Sequence, residues 1–256
     1  MLGRKHLMIP DTQCKEGISF DYLAWVGEYI VAKQPDVVVQ IGDFNDMPSL
    51  CSYDVGKKNF EGKRYKSDIC AGKEAMRIML EPMRKYNAQH GKNKKKQYNP
   101  EMILTLGNHE DRITRAIESD PKLDGTLSLN DLGYKEAGWE VYPFLRPVVI
   151  DGVIYSHFFP SGQMGRPCSS ARALLTKHHM SCLAGHQQGR DIAYGKRADG
   201  KSITAIIAGS YYEHDENYLS PFTNKHWRGV FVLHETHDGE FDEMSVSIGY
   251  LKRKYG

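Results

Sequence analysis

The sequence predicts an α/β protein in which two sheets pack face to face with helices outside, and three observations carry that reading. Short apolar, β-branched runs repeatedly end on Asp, Asn or His; strand and helix alternate at the start of the chain; and the C-terminal half reads mostly as strands.

The clearest run spans Pro35 to Asp46, where Val37, Val38, Val39 and Ile41 lead into Gly42-Asp43 and a further acid, Asp46. It reads as a buried strand that delivers carboxylates to its own C-terminal end. Taken alone, such a segment is equally an ordinary strand followed by a polar turn. The pattern recurs, however. Met102 to Leu106 ends on Gly107-Asn108-His109-Glu110, Val153 to Ser156 on His157, Ser181 to Ala184 on Gly185-His186, and Leu7 to Pro10 on Asp11. Such runs are what a sheet needs if it is to gather ligands along one edge, where open α/β folds bind them.

In chain order, residues 5–10 form the first expected strand. Residues 20–33 place Phe20, Leu23, Val26 (or Gly27), Ile30 and Val31 at helical spacing, and the helix closes before Pro35. A helix is expected over 69–89, with Met76, Met79, Leu80 and Met83 on one face and a possible kink at Pro82. The run Gly91 to Gln97 is basic and expected to be mobile. A short helix over 111–119 and an irregular one over 127–137 follow. Strands are then expected at 139–143, 147–150 and 153–156, with Asp151-Gly152 as a hairpin turn. A helix over 169–179 precedes strands at 181–184, 192–194, 203–208, 229–234 and 244–248. No internal repeat is present.

At 256 residues, 40% hydrophobic and 26% charged, the chain can build one large core, so a single domain over 1–256 with an insertion at about 47–100 is expected. A net charge of +2 is too mild to imply a nucleic-acid partner. The charge is local, though: residues 47–100 hold 13 Lys or Arg against 5 Asp or Glu. The five cysteines form no CxxC pair and fit a reducing compartment. The first residues, Met1 to His6, meet Pro10-Asp11 almost at once, leaving no room for the apolar core of a signal peptide, and no run is long enough to span a bilayer. A cytoplasmic protein with no membrane association and no obligate protein partner is the expectation.

Asp11, Asp43, Asn108, His157 and His186 together offer carboxylates, an amide oxygen and imidazoles, a mixture that suits first-row divalent ions better than calcium or structural zinc. Two ions sharing one carboxylate activate water, hold a phosphate and stabilise charge on the attacking and leaving oxygens, and phosphate-ester hydrolysis needs all three.

Asp11-Thr12-Gln13, Gly42-Asp43-Phe44-Asn45-Asp46, Gly107-Asn108-His109-Glu110, His157 and Gly185-His186-Gln187-Gln188, in this order, resemble the motif set of the calcineurin-like metallophosphoesterase superfamily. That resemblance implies a four-layer sandwich of two mixed sheets flanked by helices, and a dinuclear site. It implies Asp43 as the bridging ligand, Asn108, His157 and His186 around one ion, and Asp11 at the other. It also implies His109 as the catalytic imidazole and Asp46 as its orienting carboxylate.

Two departures are paired. Where the family carries histidines in its first and last blocks, this chain has Gln13 and Gln188. An amide oxygen is a weaker and harder donor than imidazole, so that site should hold its ion less tightly and prefer manganese or magnesium over zinc; for the pair of ions manganese is expected, with magnesium, zinc or iron as alternatives. The opposing reading is a one-metal or non-catalytic relative.

Arg112 could hold a phosphate oxygen or be a solvated surface residue. Lys58, Lys63, Arg64 and Lys94, Lys95 and Lys96 could track phosphates or form a solvated face. Tyr211-Tyr212 and Lys225 to Arg228 could line a groove or be core and rim, whereas His178, His179, His214, His226, His234 and His237 match no ligand block and are expected at the surface or in packing. The leading expectation is a nuclease acting on DNA or RNA. A small-molecule phosphatase or nucleotide hydrolase, and a non-catalytic metal-binding relative, are the alternatives.

Overall fold

The computed structural model describes residues 3–216 and 219–256. The chain opens with β1 (Arg4–Ile9), α1 (Asp21–Lys33) and β2 (Val37–Gln40). Residues 48–60 form a succession of short 3-10 turns, followed by α2 (Tyr65–Lys92), β3 (Glu101–Thr105), α3 (Arg112–Ser119) and β4 (Glu140–Tyr142). Next come β5 (Val148–Ile150), β6 (Val153–Ser156), the ribbon β7 (Pro160–Ser161) and β8 (Arg166–Pro167), α4 (Ala171–His178) and β9 (Cys182–Ala184). The chain ends with β10 (Arg190–Lys196), β11 (Ser202–Ala208), β12 (Gly229–His237), β13 (Glu240–Ser247) and α5 (Ile248–Tyr255).

One sheet has six strands in the order β13-β12-β1-β2-β3-β4, the other five in the order β10-β11-β9-β6-β5. In the first sheet β1 to β4 are mutually parallel; in the second β6, β9 and β11 are parallel. The period-two alternation of strands sorts their side chains into layers. Met8, Val39, Ile41, Tyr155, Ile206 and Phe231 pack between the sheets. Leu7, Ile9 and Val38 face the other way, against Val26 and Ile30 of α1, Met79 of α2 and Leu251 of α5. On the far side Leu174 and Leu175 of α4 cover Cys182, Ala205 and Ile207. The result is helix, sheet, sheet, helix, the four-layer order expected from the sequence.

Several elements differ from expectation. α2 runs past both ends of 69–89 and passes through Pro82. A proline in a helix interior costs about 3 kcal/mol, and burial of Met76, Met79 and Leu80 at about 1.5–3 kcal/mol each outweighs it. Between 127 and 137 only the 3-10 turn Leu129–Leu132 forms, held by a reciprocal Ser128–Asp131 cap. The last helix, α5, was not expected; Ser247 Oγ caps it by accepting from Tyr250 N. All five cysteines are unbridged. No helix among the described residues is long and apolar enough to cross a membrane.

Candidate metal centre

Every ligand-bearing turn follows the carboxyl end of a parallel strand. Asp11 follows β1, Asp43 follows β2 and Asn108 follows β3 in one sheet, while His157 follows β6 and His186 follows β9 in the other. The sequence-predicted ligands therefore meet on the edge that both sheets share.

The backbone is forced to close quarters there. Asp43, His186 and Gln13 all adopt left-handed φ angles, 51°, 66° and 45°, which non-glycine residues visit rarely and mostly at functional sites. Gly42 has φ +100°, and a Cβ there would lie 2.7 Å from His157 Nδ1, while a Cβ on Gly107 would lie 2.1 Å from Asp43 Oδ1, so a side chain at either position displaces a ligand-bearing residue. Glu110, fully buried, ties the turns together: its carboxylate accepts from Asp43 N (3.0 Å), Asn45 N (2.9 Å) and Gly107 N (2.8 Å).

Single atoms of Asp43, His157 and His186 lie within 4.8 Å of one another. Asn108 Oδ1 completes the group, 2.9 Å from His157 Nε2 and 2.8 Å from His186 Nδ1. His157 Nδ1 is 3.0 Å from the Ile41 carbonyl, which accepts its proton and turns Nε2 toward the cluster. Asp11 lies beside this group: its Oδ1 accepts from His186 N at 3.1 Å, while Oδ2, fully buried, has no hydrogen-bond partner among the described residues. A buried carboxylate oxygen without a partner is costly, and a cation supplies what is missing. The donor set thus fits a divalent ion.

Charge in this cluster is strongly redistributed. Burial alone would raise Asp43, but His109 and His157 outweigh it and hold the carboxylate far below the usual range. Burial likewise pulls His157 down, yet Asp43 and Asp11 push it up to about 9. Burial and the neighbouring His157 lower His186 to about 4, and burial raises Asp11 to about 7.

Gln13 is buried, and its backbone N–H donates to the Asp43 carbonyl at 2.9 Å. Gln188 Oε1 accepts from the Tyr212 hydroxyl at 2.9 Å, and the residue before that tyrosine, Tyr211, donates its N–H to the Asp11 carbonyl at 2.7 Å. Backbone bonding thus ties Gln13 to Asp43, and the Tyr211-Tyr212 pair links Gln188 to the strand end that carries Asp11. Tyr211 and Tyr212 are fully buried, so they are core and not the groove lining weighed above.

His109 lies on the other flank of Asp43, which accepts its N–H at 2.9 Å. Its Nδ1 is 2.8 Å from Asp46 Oδ1, and its Nε2 is 3.2 Å from Arg112 Nη2. A guanidinium only donates, so Nε2 accepts in this arrangement and Nδ1–H donates to Asp46. Burial draws the imidazole down, but Asp43 and Asp46 outweigh it and lift it above its ordinary value; protonation of Nε2 requires Arg112 to turn aside.

Sequence reasoning missed Lys15 and Glu216. Lys15 Nζ lies 2.9 Å from Asp46 Oδ2 and 2.7 Å from Glu216 Oε1, and Glu216 in turn meets His214 Nε2 at 2.7 Å. Only the fold brings Glu216 to Lys15, so no local signal could have found the pair. Lys94, Lys95 and Lys96 are not brought to the site. Lys96 lines a groove with Pro35, Asp36 and Tyr98, at the amino end of β2, whereas the ligands stand at its carboxyl end. The 28-residue α2 separates the two parts of the basic insertion: on its amino-terminal side Lys57 and Lys63 line the cavity beside Asp46.

No protein-family model matches the sequence, and no curated protein matches it. Among solved structures the chain is similar to TT1561 of Thermus thermophilus, with 7% identity over 96% of this chain and 99% of that one and a TM-score of 0.40. It is also similar to the nuclease MPE of Pseudomonas putida, with 13% identity over 93% and 87% and a TM-score of 0.37. A third is the dimetal phosphatase LOC 393393 from Danio rerio, with 10% identity over 97% and 100% and a TM-score of 0.39. By its own layer order and strand order the chain is a four-layer α/β sandwich of two mixed sheets whose ligand-bearing turns stand along one shared edge.

Proposed function

We propose that this chain is a divalent-metal-dependent phosphodiesterase acting on nucleic acid. The observation that carries the reading is the convergence of Asp43, Asn108, His157 and His186 beside a buried His109–Asp46 pair. Asp43, Asn108, His157 and His186 would hold one ion; Asp11, Gln13 and Gln188, sharing Asp43, would hold a second, manganese in preference. When bound, such ions supply Lewis acidity toward the phosphoryl oxygens and an activated water nucleophile.

The chain's own groups do the rest. Asp46 fixes the His109 ring through Nδ1 and leaves Nε2 facing outward toward Arg112. A phosphate oxygen arriving there accepts from Arg112 in place of Nε2, which frees that nitrogen to take a proton. As water adds to phosphorus and the ester P–O bond breaks, the proton passes from Nε2 to the departing oxygen. Arg112 Nη1 stays anchored on the Asp46 carbonyl at 2.6 Å, so its outer nitrogen is held in place for the phosphate.

The diester and nucleic-acid preference is supported by a cavity of about 420 Å³ beside Asp46, whose lining includes Lys15, Lys57, Lys63 and Arg112. The test is hydrolysis of bis-p-nitrophenyl phosphate, with and without manganese, by the native chain and by Asp43→Asn. The native chain should show manganese-stimulated turnover, and the variant should lose it while its circular dichroism is unchanged. More than a few per cent of activity remaining in Asp43→Asn would remove the reading.

A further inference from the structure

We propose that Lys15 is a positioning residue for proton delivery by His109: anchored on Glu216, its ammonium holds one oxygen of Asp46 and so steadies the other oxygen, which fixes the His109 ring; this rests on the phosphodiesterase reading above. Asp46 spends its two carboxylate oxygens on different partners. Oδ1 meets His109 Nδ1 at 2.8 Å, and Oδ2 meets Lys15 Nζ at 2.9 Å. A carboxylate held at one oxygen still turns about a soft torsion, whereas one held at both does not. The Asp46 carbonyl also lies 2.9 Å from His109 Nδ1, so a carboxylate that turned away would leave the ring bonded to the backbone and free to tilt.

Lys15 is built into the site and not offered to substrate. An ammonium has three donors. One goes to Asp46, and Glu216 Oε1 and Oε2, both at 2.7 Å, take the other two. None is left for a phosphate, although the residue lines the cavity beside Asp46. The backbone is tied in as well: Asp46 N donates to the Cys14 carbonyl at 2.9 Å, which stitches the turn before the lysine to the turn that carries the acid.

Glu216 is the anchor. It is only 4% exposed, and His214 Nε2 meets its carboxylate at 2.7 Å. The Asn224 side chain holds its backbone, accepting from the N–H at 2.9 Å and donating to the carbonyl at 3.1 Å. Immobilising a long lysine costs rotamer entropy, and a buried acceptor that takes two of its donors offsets that cost. A lysine that only neutralised Glu216 would become dispensable once that charge was removed. One that steadies Asp46 would not.

The experiment uses the full chain with manganese and two diesters of like shape, bis-p-nitrophenyl phosphate and diphenyl phosphate. p-Nitrophenolate departs readily without a proton, whereas the more basic phenolate depends on the one that His109 supplies. Lys15→Met should lower kcat on diphenyl phosphate by about 10- to 100-fold. Its KM should stay within about twofold of native, and kcat on bis-p-nitrophenyl phosphate should fall by less than about threefold. His109→Ala should show the same split between substrates, and adding Lys15→Met to it should cost no more than about twofold further, because groups that act as one unit are not additive. Lys15→Met with Glu216→Gln removes the acid left unpaired, which guards against misfolding, and should keep the split. Equal losses on the two diesters, an undiminished loss in the His109→Ala background, or native kcat restored by adding Glu216→Gln overturns the proposal and leaves the phosphodiesterase reading standing. Absence of manganese-stimulated turnover of either diester by the native chain removes both.

Discussion

Gly107 shows how narrow the tolerances are at single residues. Because a Cβ there would lie 2.1 Å from Asp43 Oδ1, Gly107→Ala should displace the carboxylate and weaken metal binding, while β3 and its neighbours stay folded. Calorimetric titration with manganese, paired with circular dichroism, checks both halves. The paired glutamines give a second expectation. If both face the Asp11 ion, Gln13→His with Gln188→His should tighten the second of two binding steps, and either change alone should help less, because the donor set would stay mixed. The ligand turns were legible in the sequence, since each is an apolar run that ends on a donor residue. Roles set by distant partners were not: Glu110 stands in its motif without any sign that it staples three backbone N–H groups, and Lys15 meets Glu216 only in space.

At the level of elements, the strands and helices of the N-terminal half follow from periodicity, and the Asp151-Gly152 turn joins β5 to β6 as expected. Another Asp-Gly turn, Asp238-Gly239, joins β12 to β13 with φ angles of 49° and 86°, and the same dipeptide signal would have found it. α5 was hidden because it is short and basic, with Leu251 as its buried residue, though Ser247 before it and Lys252, Arg253 and Lys254 at its end are ordinary start and stop signals. Leu251→Ala should therefore cost about 2–5 kcal/mol of stability in urea unfolding, without altering manganese stoichiometry, because Leu251 packs in the outer core layer with Val26 and Ile30 of α1 and supplies no ligand. The basic insertion was legible as a composition shift but not as a geometry. A 28-residue helix spans about 42 Å at 1.5 Å per residue, so charges adjacent in composition end far apart in space. Neutralising Lys94, Lys95 and Lys96 to Gln should then leave the salt dependence of oligonucleotide binding unchanged, in contrast to Lys57 and Lys63.

Across the whole molecule, protonation couples stability to metal. In the metal-free fold His157 is raised from 6.5 to about 9 and Asp11 from 3.8 to about 7. Groups raised in this way stabilise the fold fully below their unfolded values, and that contribution is lost as pH climbs through the folded ones. His186, lowered to about 4, has the opposite sign: its contribution is present above 6.5 and lost as pH falls through 4. The metal-free protein should lose melting temperature between pH 6.5 and 9. Manganese, which must displace the His157 proton, should bind more tightly over the same window and release protons in calorimetry run in buffers of different ionisation enthalpy. A flat metal affinity across that window would place the ion elsewhere.

The shared edge also makes any bound ion a rivet. Asp11, Asp43 and Asn108 belong to one sheet, His157 and His186 to the other; between the sheets lies an apolar layer that includes Met8, Ile41, Tyr155 and Phe231, and at the opposite end His6 binds Tyr155 and Asp151. An ion gripped from both sides fastens the sheets at one end, and at a hundred times its dissociation constant it adds about 2.7 kcal/mol to that fastening. Amide hydrogen exchange should then slow at β6 and β9 when manganese is added and stay unchanged at the tip of the β12–β13 hairpin. Chelation would loosen the sandwich from its ligand-bearing end first.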